Sequence, residues 1–196
     1  MTCNGEDFNM IGYAFSASFC TFERSFSALR RLVESGFEVQ PIMSENAFST
    51  DTRFAKAAEF VTRVEHLTGK TVIHTVTDAE PLGPKMPLDA LVIAPCTGNT
   101  LAKIANGITD TAVTMAAKAH LRRDRRLLIA LATNDGMSQN LKNIGTLITR
   151  RSVYFVPMLQ DDPTGKPHSL VAEMELIPDA LSAALRGEQL RPLFRV

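Results

Sequence analysis

The segment LLIALA at Leu127–Ala132 is apolar at every position. Successive side chains of a β-strand point to opposite faces, so a strand of this composition has to be covered on both sides. Met10–Phe15, Phe37–Met43, Thr71–Val76, Leu88–Ala94 and Val153–Val156 read as further short strands, and helical patterns separate them. Phe22, Phe26, Leu29 and Val33 recur at spacings of one helical face, which Gly36 ends; Phe54, Ala57, Ala58, Val61 and Val64 mark a helix over 52–67, closed by Gly69. Thr100–Asn106 and Thr111–Leu121 are helical after the fourth strand, and Leu141, Ile144 and Ile148 after the fifth. A last helix is predicted over Val171–Leu185, cut near its middle by Pro178. Strands alternating with helices give an α/β chain with a parallel sheet of about six strands and helices on both faces. Pro41 puts the second strand at an edge or ends its hydrogen bonding, and AEPLGPKMP at Ala79–Pro87 is a long exposed loop.

One domain over 1–196 is expected, with 158–196 as a loop-and-helix extension. Twenty-one basic and 21 acidic residues cancel, which disfavours a sequence-independent grip on nucleic acid or an anionic membrane; RRDRR at Arg122–Arg126 reads as a solvated helix end. Cys3, Cys20 and Cys96 form no C-x-x-C pair, so neither a zinc site nor a dithiol is expected, and a reducing cytoplasm fits. No secretory signal and no apolar run of about 18 residues is seen.

In parallel sheets of this kind, ligands bind beyond the carboxyl ends of the strands. Four loops there carry small hydroxyl or amide residues: Ser16, Ala17, Ser18 and Thr21; Ser44 and Asn46; Thr97, Gly98, Asn99 and Thr100; Thr133, Asn134, Asp135, Gly136 and Met137. Each alone reads as a helix cap. Together they suit a neutral polar ring system with a phosphate tail, because hydroxyls and free helix N–H groups point the same way. No G-x-G-x-x-G or nucleoside-triphosphate loop is present.

The segment APCTGNTLAKIANGITD resembles the run of the flavin-binding cysteine decarboxylase family: Pro, Ala or Ser, Ser or Thr, Ala, Asn, Thr, then an apolar residue, Ala-Lys and a later Asp. IGYAFSASFCT, NDGM, YFVPMLQDDPTGKPHSLVAEME and ALRGEQLRP narrow the resemblance to the B-subunit family of dipicolinate synthases, over nearly the whole chain. It implies a Rossmann-like (flavodoxin-like) three-layer sandwich and FMN as cofactor. Ser16, Ala17 and Ser18 would meet the phosphate side, Ser44 and Asn46 would flank the cofactor, and Pro95, Thr97, Gly98, Asn99 and Thr100 would wrap its other side. Lys103 and Asp110 match positions of the run, and Lys103 reads equally well as a ligand or as a solvated helix residue or subunit contact.

The decarboxylases carry P-x-M-N-x-x-M-W; here Asn134 and Met137 match while the Pro, first Met and Trp do not, which argues against decarboxylation. The resemblance implies instead oxidation of a dihydrodipicolinate-type dicarboxylate to dipicolinate in a sporulating bacterial cytoplasm, together with an A subunit that holds NADP or NAD. It also implies a homo-oligomer, trimer or dodecamer. Asn134, Met137 and Lys166 are the candidate catalytic residues, with Lys166 meeting a substrate carboxylate or the A subunit. Lys85, Lys103, Lys142, Arg150 and Arg151 are further cations near loop ends. A noncatalytic subunit that stabilises or activates the A subunit is the rival reading, and an FMN-dependent decarboxylase a third. His74 has no clear counterpart, and Cys96 reads as a small buried group.

Overall fold

A computed structural model describes residues 10–83 and 86–195. Its strands are β1 (Met10–Phe15), β2 (Glu38–Met43), β3 (Ala90–Cys96), β4 (Arg126–Thr133), β5 (Val153–Phe155), β6 (Met158–Leu159) and β7 (Leu170–Ala172). They form one seven-stranded sheet of order β2-β1-β3-β4-β7-β6, with β5 pairing the first half of β4. Pairing is parallel from β2 through β5; β7 runs antiparallel to both β4 and β6. The helices are α1 (Phe22–Glu34), α2 (Glu45–Ser49), α3 (Ala57–Thr68), α4 (Val76–Ala79), α5 (Gly98–Ala105), α6 (Ala112–Leu121), α7 (Leu141–Ile148) and α8 (Ile177–Leu185).

The all-apolar strands are apolar because two cores need them. Ala90, Val92 and Ala94 of β3 and Leu128, Ala130 and Ala132 of β4 join α1, α3 and α8 in one core. Leu91, Ile93 and Cys96, with Leu127, Ile129 and Leu131, join α5, α6 and α7 in the other. Each fully buried aliphatic side chain contributes about 1.5–3 kcal/mol, so both faces of the sheet are strongly specified.

Four expectations are corrected. The segment 79–87 is not all exposed loop: Ala79 closes α4 and Glu80–Leu82 makes a single 3-10 turn, with Ala79 and Leu82 buried. Thr71–Val76 is not a strand: only Ile73 bridges Ile42, with Ile73 N–H donating to Pro41 O (3.0 Å) and Met43 N–H to Ile73 O (2.8 Å). Pro41 has no N–H to offer, and the Gln40 side-chain amide takes the Thr71 carbonyl (2.9 Å), so pairing stops there. The helix predicted from residue 52 starts at Ala57, because Thr52 Oγ1 accepts from the N–H groups of Phe54 and Ala55 and holds a local turn. The final helix starts at Ile177, not Val171. Leu170–Ala172 alternates buried, half-buried, buried and is taken into the sheet as β7, while Pro178 falls in the first turn of α8, where its missing N–H costs no helical bond.

β3 also runs two residues further than Ala94, through a cis Ala94–Pro95 bond to Cys96. RRDRR ties the fold locally: Arg123 donates to Gly83 O (2.8 Å) and Arg125 to Leu88 O (2.6 Å). Among the described residues no helix is long and apolar enough to cross a membrane, and no group of His, Cys, Asp or Glu is placed to hold a metal ion. Cys3 and Lys85 lie outside the described residues.

Candidate functional site

The sheet order changes direction between β1 and β3, and the loops leaving these two strands lie side by side. Ser16 joins them. Its hydroxyl donates to Pro95 O (2.8 Å) and accepts from Thr97 N–H (2.8 Å), while its own N–H donates to Pro95 O (3.1 Å). Thr97 then caps α5, accepting from Thr100 N–H (3.2 Å). Beside this junction opens a cleft of about 640 Å³, a volume in the range of small-molecule sites.

The cleft is built from three loops and a rim. The first loop contributes Ala17, Ser18 and Thr21; the second Thr97, Gly98 and Asn99; the third Thr133, Asn134 and Asp135. The rim is Arg24 from α1, with Asp161 and Lys166 from the hairpin joining β6 to β7. Among the described residues the side-chain amides of Asn99 and Asn134 make no hydrogen bond and stand exposed.

Asp135 is the most heavily engaged group. It accepts from the Thr133 hydroxyl and, on both of its oxygens, from Asn140 Nδ2 (2.8 and 3.0 Å), and Asn140 Oδ1 in turn accepts from Asn143 (2.8 Å). The Thr133 hydroxyl, with help from Asn140, holds the Asp135 carboxyl below the usual carboxylate range. This triad packs against the backbone of Gly98, where a Cβ would come within 2.9 Å of Asp135 Oδ1 and closer still to Asn140 Nδ2 and Thr133 Oγ1. Gly98 stands where the family run has Ala.

The cleft thus gathers Ala17, Ser18, Thr97, Gly98, Asn99, Asn134 and Lys166 of the residues singled out from the sequence. Ser16, Pro95 and Thr100 lie buried beneath it, their polar groups spent on shaping the loops. Ser44 and Asn46 are elsewhere: the Ser44 hydroxyl caps α2, accepting from Ala47 N–H (3.3 Å), and Asn46 is exposed on that helix. Beyond α2 a smaller apolar slot, lined by Phe19, Phe22, Phe54 and Phe60, shares Cys20 with the cleft. Met137 is 46% exposed outside the cleft wall, its N–H donating to His168 O (2.9 Å).

Lys103 pairs with Asp110 (2.8 Å), so the two matched positions brace the end of α5. Cys96 is buried, and burial pushes its thiol well above the ordinary range, which disfavours the nucleophilic thiolate. His74 stacks flat on Phe48 (3.7 Å between centroids, 4° between planes), away from the cleft. Arg24 and Asn140 had no signal in the sequence: one reads as an ordinary exposed helix position, the other as a helix flank.

A profile of the flavoprotein family matches residues 4–183. The chain belongs to the flavoprotein family. The B subunit of dipicolinate synthase from Bacillus subtilis is 45% identical over 93% of this chain and 92% of its own. The crystal structure of the corresponding B subunit from Bacillus halodurans superposes with a TM-score of 0.88 at 39% identity, covering 96% of both chains. The FMN-dependent cysteine decarboxylase SpaF shares the fold (TM-score 0.67, 18% identity, 91% of this chain and 97% of its own). In flavoprotein terms, the cleft residues fit a cofactor of this class: its size suits an FMN-sized group, and its free donors are the uncharged amides of Asn99 and Asn134.

Proposed function

We propose that this chain is the flavin-binding B subunit of a dipicolinate synthase, oxidising a dihydrodipicolinate-type precursor together with an A subunit that carries NADP or NAD. The likeness to B subunits of dipicolinate synthase over almost the whole length of both chains carries this reading. Ala17, Ser18, Thr97, Asn99 and Asn134 would hold FMN, with Ser16 fixing the two loops that present them. Bound flavin would supply a hydride acceptor. The chain's own task is orientation: oxidation gains aromaticity, so holding the ring against an acceptor supplies most of what the reaction lacks.

Lys166, on the rim and paired with Asp161 (3.2 Å), meets a substrate carboxylate. Lys166→Ala should lower synthase activity and leave flavin content unchanged; equal activity would remove that role. A noncatalytic subunit is the second reading, favoured by one observation: the Thr133–Asp135–Asn140 triad spends its polar groups on itself. Against a decarboxylase stands the third cleft loop, which keeps Asn134 and Met137 of that run but turns Met137 away from the cleft. The visible spectrum of the purified chain before and after FMN is added, followed by assays with and without the A subunit, separates the readings. A chain that never takes up FMN would sink the first. The cytoplasm of a sporulating cell and a trimeric or dodecameric assembly belong to the same proposal.

A further inference from the structure

Arg24 is the third residue of α1, in the first turn, where the helix dipole favours anions rather than cations. A guanidinium there needs a carboxylate, and Glu175 supplies one through a two-pronged contact, Nε to Oε1 at 3.1 Å and Nη2 to Oε2 at 3.0 Å. The pair is not buried. Arg24 is 48% exposed, on the cleft rim, and Glu175 is 58% exposed. Lys166 repeats the arrangement: its ammonium meets Asp161 at 3.2 Å, and Asp161 also accepts from Ser169 Oγ (2.9 Å).

Arg24 and Lys166 are related through Asp161, which lies within electrostatic reach of Arg24 while bonding Lys166. Two cations therefore stand on one rim, each holding a solvent-exposed carboxylate from the segment 161–175. Exposed pairs of this kind add little to stability, so a ligand carboxylate can take each cation while water solvates the displaced side-chain carboxylate. The remaining cleft anion, Asp135, is saturated by Thr133 and Asn140.

We infer that Arg24 and Lys166 together receive the two carboxylates of a small planar dicarboxylate, and that Glu175 and Asp161 occupy these cations until it arrives. Arg24 is then a specificity-determining residue, giving a forked contact, while Lys166 gives a point charge. The inference rests on the dicarboxylate reading of the function and names how the class is recognised.

Calorimetric titration of the full-length chain, loaded with FMN, tests it with pyridine-2,6-dicarboxylate and pyridine-2-carboxylate as probes. The wild type should bind the dicarboxylate at least about tenfold more tightly than the monocarboxylate. Arg24→Gln should abolish this preference, and Glu175→Gln, which frees the guanidinium, should tighten dicarboxylate binding by about threefold or more. Circular dichroism and FMN content of both variants should match wild type, so a binding change reports recognition and not folding. Unchanged dicarboxylate affinity in Arg24→Gln, or weaker affinity in Glu175→Gln, overturns the inference and leaves the proposed function standing. A wild type that binds neither probe, alone or with the A subunit, overturns both.

Discussion

Gly98 faces the carboxylate of Asp135 so closely that a methyl group on its α-carbon would come within 2.9 Å of Oδ1. The absent side chain is the space into which the third cleft loop packs its hydrogen-bonded triad. Gly98→Ala should therefore destabilise the protein by about 1–3 kcal/mol, the usual cost of overpacking. Urea denaturation measures this, and a double mutant with Thr133→Ala should lose less than the two single changes summed, since the pair shares one contact. Additive losses would mean that the crowding lies elsewhere.

Ser16 and Ser18 differ by two positions and separate structure from ligand binding. Ser16→Ala removes the acceptor of the Thr97 N–H, while Pro95 O keeps the Ser16 N–H, a loss of about 1–3 kcal/mol. Ser18 is half-buried on the cleft wall, so Ser18→Ala should change stability by less than about 0.5 kcal/mol. It should nevertheless weaken FMN binding, read by fluorescence quenching of added flavin. The reverse pattern would move the phosphate contact to Ser16.

His120, on α6, is buried with Nε2 against Arg126 O (2.9 Å), an arrangement for the neutral ring with its N–H donated to that carbonyl. Burial lowers its pKa to about 4. The unfolded chain therefore binds more protons than the folded one between about pH 6.5 and 4, so this contribution is fully present above that window and is lost as the pH falls through it. Between pH 7 and 5 the loss is about 2 kcal/mol. His120→Gln keeps a donor without the titration, and should show a flatter stability profile over that interval in paired denaturation curves.

Periodicity was a sound guide wherever burial was complete. β1, α1 and β4 lie almost where the spacing of apolar residues puts them, because two cores demand the same faces. It misled at 71–76, where an apolar alternation looks like a strand but Pro41 and the Gln40 amide have already taken the edge of β2. It misled again at 170–172, whose three residues are too few to show a period and are drawn into the sheet by β4 and β6.

The order of strands and helices, their two-sided covering and the clustering of small polar residues at strand ends were set by local sequence, since each depends on residues near in the chain. Which hydroxyl braces and which one faces the cleft was decided only by tertiary contact. Ser16 bonds residues about 80 positions away, and Arg24 meets Glu175 across 151. Nothing in the local pattern of either residue encodes a partner at that separation.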